Sequence, residues 1–146
     1  MKALSIKQPW ASLIAHGIKD VENRSWRTNF RGRIYIHASS RKAGDLPYIL
    51  STQQANYITT KVDNMPPYTD NMPFSAIIGE VDIVDCVINH PSIWAEKMST
   101  YPCENISGLQ ILSKNQKYIW NWVLENPVLY ENPILNVKGK LSFWEF

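Results

Sequence analysis

The sequence predicts an α+β domain built on a mostly antiparallel, closed β-sheet. Three observations carry this. The chain has 146 residues, 45% hydrophobic and 19% charged, which suits one globular domain over residues 1–146 rather than a disordered segment. Its patterning gives about six or seven strands and two to four helices, in the order β-α-β-β-α-β-β-β. That order lacks the repeated strand–helix–strand units from which parallel sheets are built.

The elements follow in order. Lys2–Ile6 alternates weakly and is expected as a short strand. Pro9 suits the first turn of a helix. Trp10, Leu13, Ile14 and Gly17 then fall at helical spacing, so one face is apolar and Trp10 is assigned to the core. Gly17 sits where a helix end favours a left-handed residue. Lys19–Arg24 is expected to be extended, which places Asp20, Glu22 and Arg24 on one face. Arg31-Gly32 marks a turn or bulge. The strand GRIYIHAS follows, with Ile34 and Ile36 on one face and Arg33, Tyr35 and His37 on the other. A helix is expected within 42–60, with Pro47 in its first turn and Ile58 facing inward. Residues 61–73 are rich in Pro and Asn and are expected as a loop. Phe74–Ile88 is the strongest strand, and Gly79 within it signals a bulge or a close backbone approach. Residues 91–98 suggest a short helix, and 99–116 an irregular stretch. Tyr118–Leu124 is an aromatic strand, Glu125–Pro133 a turn-rich link, and Ile134–Val137 and Leu141–Phe146 close the chain around a Lys138-Gly139-Lys140 turn.

Charge is unevenly spread. Residues 1–42 hold nine basic and two acidic residues, a net +7, against −5 for the remainder. This asymmetry points to an anionic partner for the N-terminal part, though arginines also solvate half-exposed sheets. Cys86 and Cys103 are the only cysteines, with no CxxC and no nearby His. They supply neither a disulfide framework nor a metal site, and no cofactor is expected. Met1 leads straight into KALSI, and no apolar run approaches the ~20 residues of a membrane span. A cytoplasmic protein without a signal peptide or membrane partner is therefore expected. The sequence leaves its oligomeric state open.

The densest chemistry lies in GIKDVENRSW, residues 17–26, where two acids, two bases and an indole share ten positions. Gln8-Pro9-Trp10-Ala11, Gly17-x-Lys19, Glu22-x-Arg24-Ser25-Trp26, Arg31-Gly32 and His37-Ala38 follow one another, with Gly79-x-Val81-Asp82 and Lys138-Gly139-Lys140 further on. This ordered set resembles the ASCH domain, the activating-signal-cointegrator homology branch of the PUA-like superfamily, along nearly the whole chain. The resemblance implies a PUA-like β-barrel with helices packed at its ends and a cleft at the helix–strand connection. Members are associated with RNA, DNA or modified nucleosides, and some small relatives remove the acetyl group from acetylcytidine. The resemblance maps their lysine to Lys19 and their strand glutamate to Glu80, but puts Glu22 where they carry a threonine. A carboxylate cannot replace a hydroxyl nucleophile without a different mechanism.

The first expectation is therefore a nucleic-acid or modified-nucleoside binding domain with a basic cleft. Lys7, Gln8, Lys19, Arg24, Ser25, Trp26, Arg31 and His37 are its candidate ligand-binding residues. Arg24 suits a phosphate or a base edge, and Trp26 suits stacking on a base. The alternative is a small amidohydrolase acting on acetylcytidine-type nucleosides, or a ribonuclease. In that case Lys19 is the base and Glu22 or Glu80 its acid–base partner. Glu80, inside an apolar strand, needs a partner, and Lys19 or Arg24 is the candidate. Each of these charges has an ordinary structural reading too: Glu22–Arg24 as an ion pair bracing the cleft, His37 as a hydrogen-bonded core residue.

Overall fold

Among the described residues, two helices and six strands follow in the order β1 (Lys2–Gln8), α1 (Trp10–Ala15), β2 (Val21–Arg24), β3 (Gly32–Lys42), α2 (Thr52–Lys61), β4 (Ala76–Val87), β5 (Trp120–Ile134) and β6 (Phe143–Glu145). This is a computed structural model that describes residues 1–46, 48–61, 71–98 and 117–146. Pro47, Cys103, most of the 61–73 loop and the 99–116 stretch lie outside the described residues. Among the described residues, no helix is long and apolar enough to cross a membrane, and no group of three or more His, Cys, Asp or Glu side chains could hold a metal ion.

The strands form one mixed sheet in the order β2-β5-β4-β3-β1-β6. Only β1 and β3 pair in parallel; the other four pairings are antiparallel. The class is thus α+β, as expected, but the backbone ladder is not closed. Strands β2 and β6 remain edges, and at four and three residues they are too short to form a long ladder. The sheet nonetheless curls. In a flat sheet β2 and β1 would stand ~19 Å apart, yet Arg24 on β2 donates from Nη2 to the carbonyl of Ser5 on β1 at 2.9 Å. Across the same seam the rings of Trp26, Trp122 and Phe143 meet at centroid distances of 4.5 to 5.5 Å. Side chains, not ladder hydrogen bonds, join the two ends.

Inside the curl, α1 packs Ala11, Ile14 and Ala15 against Leu4, Ile34, Ile36 and Trp122. Fully burying each large aliphatic side chain contributes roughly 1.5–3 kcal/mol. The helix ends in a Schellman motif: Gly17 N–H donates to Ile14 O and Ile18 N–H to Leu13 O, both at 2.9 Å, with Gly17 at φ +75°. Ile18 and Leu13 then pack together in a second cluster with Val21, Ile58 and Trp94.

Four elements differ from expectation. The link over 125–133 is strand: β5 runs unbroken to Ile134, absorbing Asn126 (φ +52°) and Pro127 at register shifts against β4. Gly79 makes the close approach its presence suggested, since a Cβ there would run into the Val128 carbonyl oxygen. The helix expected within 42–60 starts only at Thr52. Ser51 and Gln54 cap it reciprocally, the Gln54 N–H to Ser51 Oγ at 3.1 Å and the Ser51 N–H to Gln54 Oε1 at 3.0 Å. Residues 91–95 form turns and bends and 96–98 no regular element, because side-chain bonds such as Met98 N–H to Asn89 Oδ1 take their backbone donors out of a helical ladder. Residues 135–137 lie outside any strand, and the closing strand is Phe143–Glu145 only.

Candidate functional site

The Schellman turn has a direct consequence. It throws the chain sharply from α1 into β2, so Lys19 and Glu22 arrive beside the helix with their side chains buried. Lys19 Nζ donates to the carbonyl of Val21 and pairs with Glu22 Oε2 at 3.4 Å. Glu22 Oε1 pairs in turn with Arg24 Nε at 3.0 Å. One carboxylate therefore neutralises two cations. Burial pushes the Lys19 ammonium below its usual lysine range, opposed by the charge and hydrogen bond of Glu22.

Lys19 and Glu22 form the floor of a pocket of about 210 Å³ walled by Trp10 and Trp94, with Asn23, Gln54 and Glu96 at its sides. The two indoles meet edge to face at 6.4 Å, and Lys19 Nζ lies 5.6 Å from the Trp10 ring centroid. Trp94 is held from behind. Asn23 Nδ2 donates to the Trp94 carbonyl at 3.0 Å, and Asn23 Oδ1 accepts from the Glu96 N–H and from the buried Asn121. Such a pocket can offer an indole face to a planar ring while charged and amide groups meet the ring's polar edge.

The pocket opens into a groove. A second cavity of about 490 Å³ shares Trp10, Glu22 and Asn23 with it and adds Lys7, Arg24 and Lys140. A third, of about 560 Å³, shares Ser5, Ser39, Lys140 and Leu141 with the second and reaches His37 and Lys138. The groove thus crosses the seam of the curled sheet, from β2 over β1 to the segment before β6.

Of the expected site residues, Lys19, Glu22, Arg24 and Lys7 come together along this path. Others do not. Glu80 makes no ion pair with Lys19 and lines none of the three cavities: its Oε2 accepts from Tyr130 Oη at 2.6 Å, and its register partner on β3 is Tyr35. Asp82, on the same strand, pairs with Arg33 at 3.1 Å. Gln8 is fully buried and spends both ends of its amide on protein, donating to Pro73 O and accepting from the Ser12 N–H. Trp26 packs into the seam instead of facing a cavity. Ser25 is exposed and lines none of the three cavities. Arg31 bonds to the carbonyls of Thr28 and Phe30 and pairs with Asp85 at 3.6 Å. His37 is buried and reaches only the far cavity, its Nε2–H donating to Val137 O at 2.8 Å. Trp10, assigned to the core by its spacing, packs against both core clusters, and its half-buried ring also walls the pocket. Trp94 and Glu96 carried no sequence signal, because nothing local marks a residue that meets the site across about 70 positions of chain; Gln54 is equally unmarked, and Asn23 lies inside the 17–26 motif, where the charges beside it carry the stronger signal.

An ASCH domain family model matches residues 4–134. Activating signal cointegrator 1 of Homo sapiens is 40% identical over 84 residues, 58% of this chain and 14% of that protein. The Mus musculus protein of the same name is 39% identical over 84 residues, with the same shares. The match thus spans about 14% of the length of these curated relatives.

Proposed function

Because the chain belongs to the ASCH domain family, we propose that it binds a base of RNA, DNA or a modified nucleoside in the Trp10–Trp94 pocket. The observation that carries this is one pocket joining two indole walls to a Lys19–Glu22 floor, which Arg24 braces from the adjoining cavity. Aromatic walls offer stacking to any base. Glu22 offers a carboxylate acceptor to a ring-edge amine, and Asn23 and Gln54 each keep a second amide N–H for a ring carbonyl, their oxygens being taken by protein donors. We read the curled sheet as this family's PUA-like barrel with its last seam closed by side chains. The test is calorimetric titration with cytidine, N4-acetylcytidine and short random-sequence oligonucleotides. Trp10→Ala should weaken binding on the order of tenfold, the usual cost of a lost stacking face. Undiminished binding by Trp10→Ala, with the fold intact by circular dichroism, would place the ligand elsewhere.

A second reading rests on the lowered proton affinity of Lys19. A neutral Lys19 amine can take a proton from water as that water attacks an acetyl carbonyl. The amide C–N bond then breaks, the proton passes to the leaving amine, and acetate and the free nucleoside result. Glu22 holds the lysine in place in this scheme, and a water takes the part of the missing threonine. Acetate release from N4-acetylcytidine, and cleavage of short RNA, are compared for the wild type and Lys19→Arg. No turnover by the wild type, or equal turnover by Lys19→Arg, refutes it.

A further inference from the structure

We propose that the groove seats a single strand of at least two nucleotides, with its phosphodiester on Lys7 and Lys140 and its second nucleotide against Leu141. The inference rests on the base-pocket reading above and extends it beyond an isolated nucleoside.

Three observations lead here. First, each cavity adjoins the next through shared lining residues, so the three lie in a row from the Trp10–Trp94 pocket across the seam to Leu141. Second, the groove carries cations with no carboxylate of their own: Lys7, Lys138 and Lys140 are exposed and have none within 4.0 Å among the described residues. Third, Leu141 is 94% exposed where the second and third cavities meet. An aliphatic side chain in water between Lys140 and Ser142 contributes nothing to the core. Beside a row of ammonium groups it suits a ligand that alternates anionic links with flat apolar faces, as a nucleotide chain does.

The strand must be single. Lys19 is only 5% exposed at the pocket floor, so a base reaches it only after leaving its stack, and a paired base would have to be flipped out.

The experiment compares cytidine with a dye-labelled random-sequence RNA tetranucleotide and its DNA counterpart, at 50 and 200 mM salt, by calorimetry and fluorescence anisotropy. Lys140→Ala/Leu141→Ala alters only exposed side chains, so the fold is retained. Either tetranucleotide should bind about tenfold more tightly than the nucleoside at low salt. The double variant should lose most of that gain, lower the salt slope by about 1 and bind the nucleoside as the wild type does. Tetranucleotides no tighter than cytidine, or indifferent to the double variant, overturn the strand path while leaving the base pocket standing. Binding of neither probe overturns both.

Discussion

Glu22 answers to two cations at once, and that makes it the residue on which the site depends. Glu22→Gln leaves Lys19 buried without a counter-charge, and about 3–5 kcal/mol of stability should be lost in urea unfolding. Lys19→Met should cost less than half as much, because Arg24 still neutralises the carboxylate. Equal losses would mean that the two pairs are not coupled through Glu22. Tyr130 gives a prediction in alkali. Burial, and then its bond to Glu80, push its phenol above its usual value of 10.0. The folded chain keeps a proton that the unfolded chain releases near pH 10. Stability from this group is therefore present below pH 10 and falls as pH rises past it. Tyr130→Phe should cost roughly 1 kcal/mol at pH 7 and flatten the decline of thermal stability between pH 9 and 11; an unchanged slope would refute it. Lys19, Glu22 and Arg24 were legible in the sequence because they act on one another over five residues. Glu80 was not: two strand positions can share an apolar pattern, and only the sheet order tells which lies near Lys19. Tyr130, its true partner, stood in a stretch whose Asn and Pro resemble a turn.

At the scale of elements, local signals were trustworthy and long-range ones were not. The end of α1 was readable from Gly17 alone, since few other residues accept φ +75° there. Gly17→Ala should cost about 1–2 kcal/mol from the left-handed backbone, with an added contact to Pro127 Cγ at 3.2 Å. It should also weaken ligand binding, because the same turn delivers Lys19 and Glu22. Loss of stability with undiminished binding would show that the turn does not set the site. The start of α2 was equally local, but Pro47 drew attention away from the Ser51–Gln54 box. Strand β5 exceeded its expected length because bulges let it carry Asn126 and Pro127 without ending, and bulge positions depend on the facing strand.

At the scale of the whole molecule, the question is how a sheet with two short edges holds its curl. Phe143 touches Trp26, Trp122 and Phe30 across the seam. Phe143→Ala should cost about 3 kcal/mol, the low end for truncating a phenylalanine, since this one is only partly buried. Amide exchange should accelerate first in β2 and β6; uniform acceleration over all strands would mean that the seam is not a separate weak point. The sequence led to a closed sheet, but not to a ladder that stays open between β2 and β6 with Trp26 bridging its ends. The curl also has a practical consequence. Arg24 ties the sheet together at the place where the groove crosses it, so a molecule lying in that groove would act as a clasp on the joint. Occupancy would show itself as heat resistance: at a hundredfold excess over Kd, about 2.7 kcal/mol of added stability. A melting-temperature screen over nucleosides and short oligonucleotides could therefore sort ligands before any reaction is known.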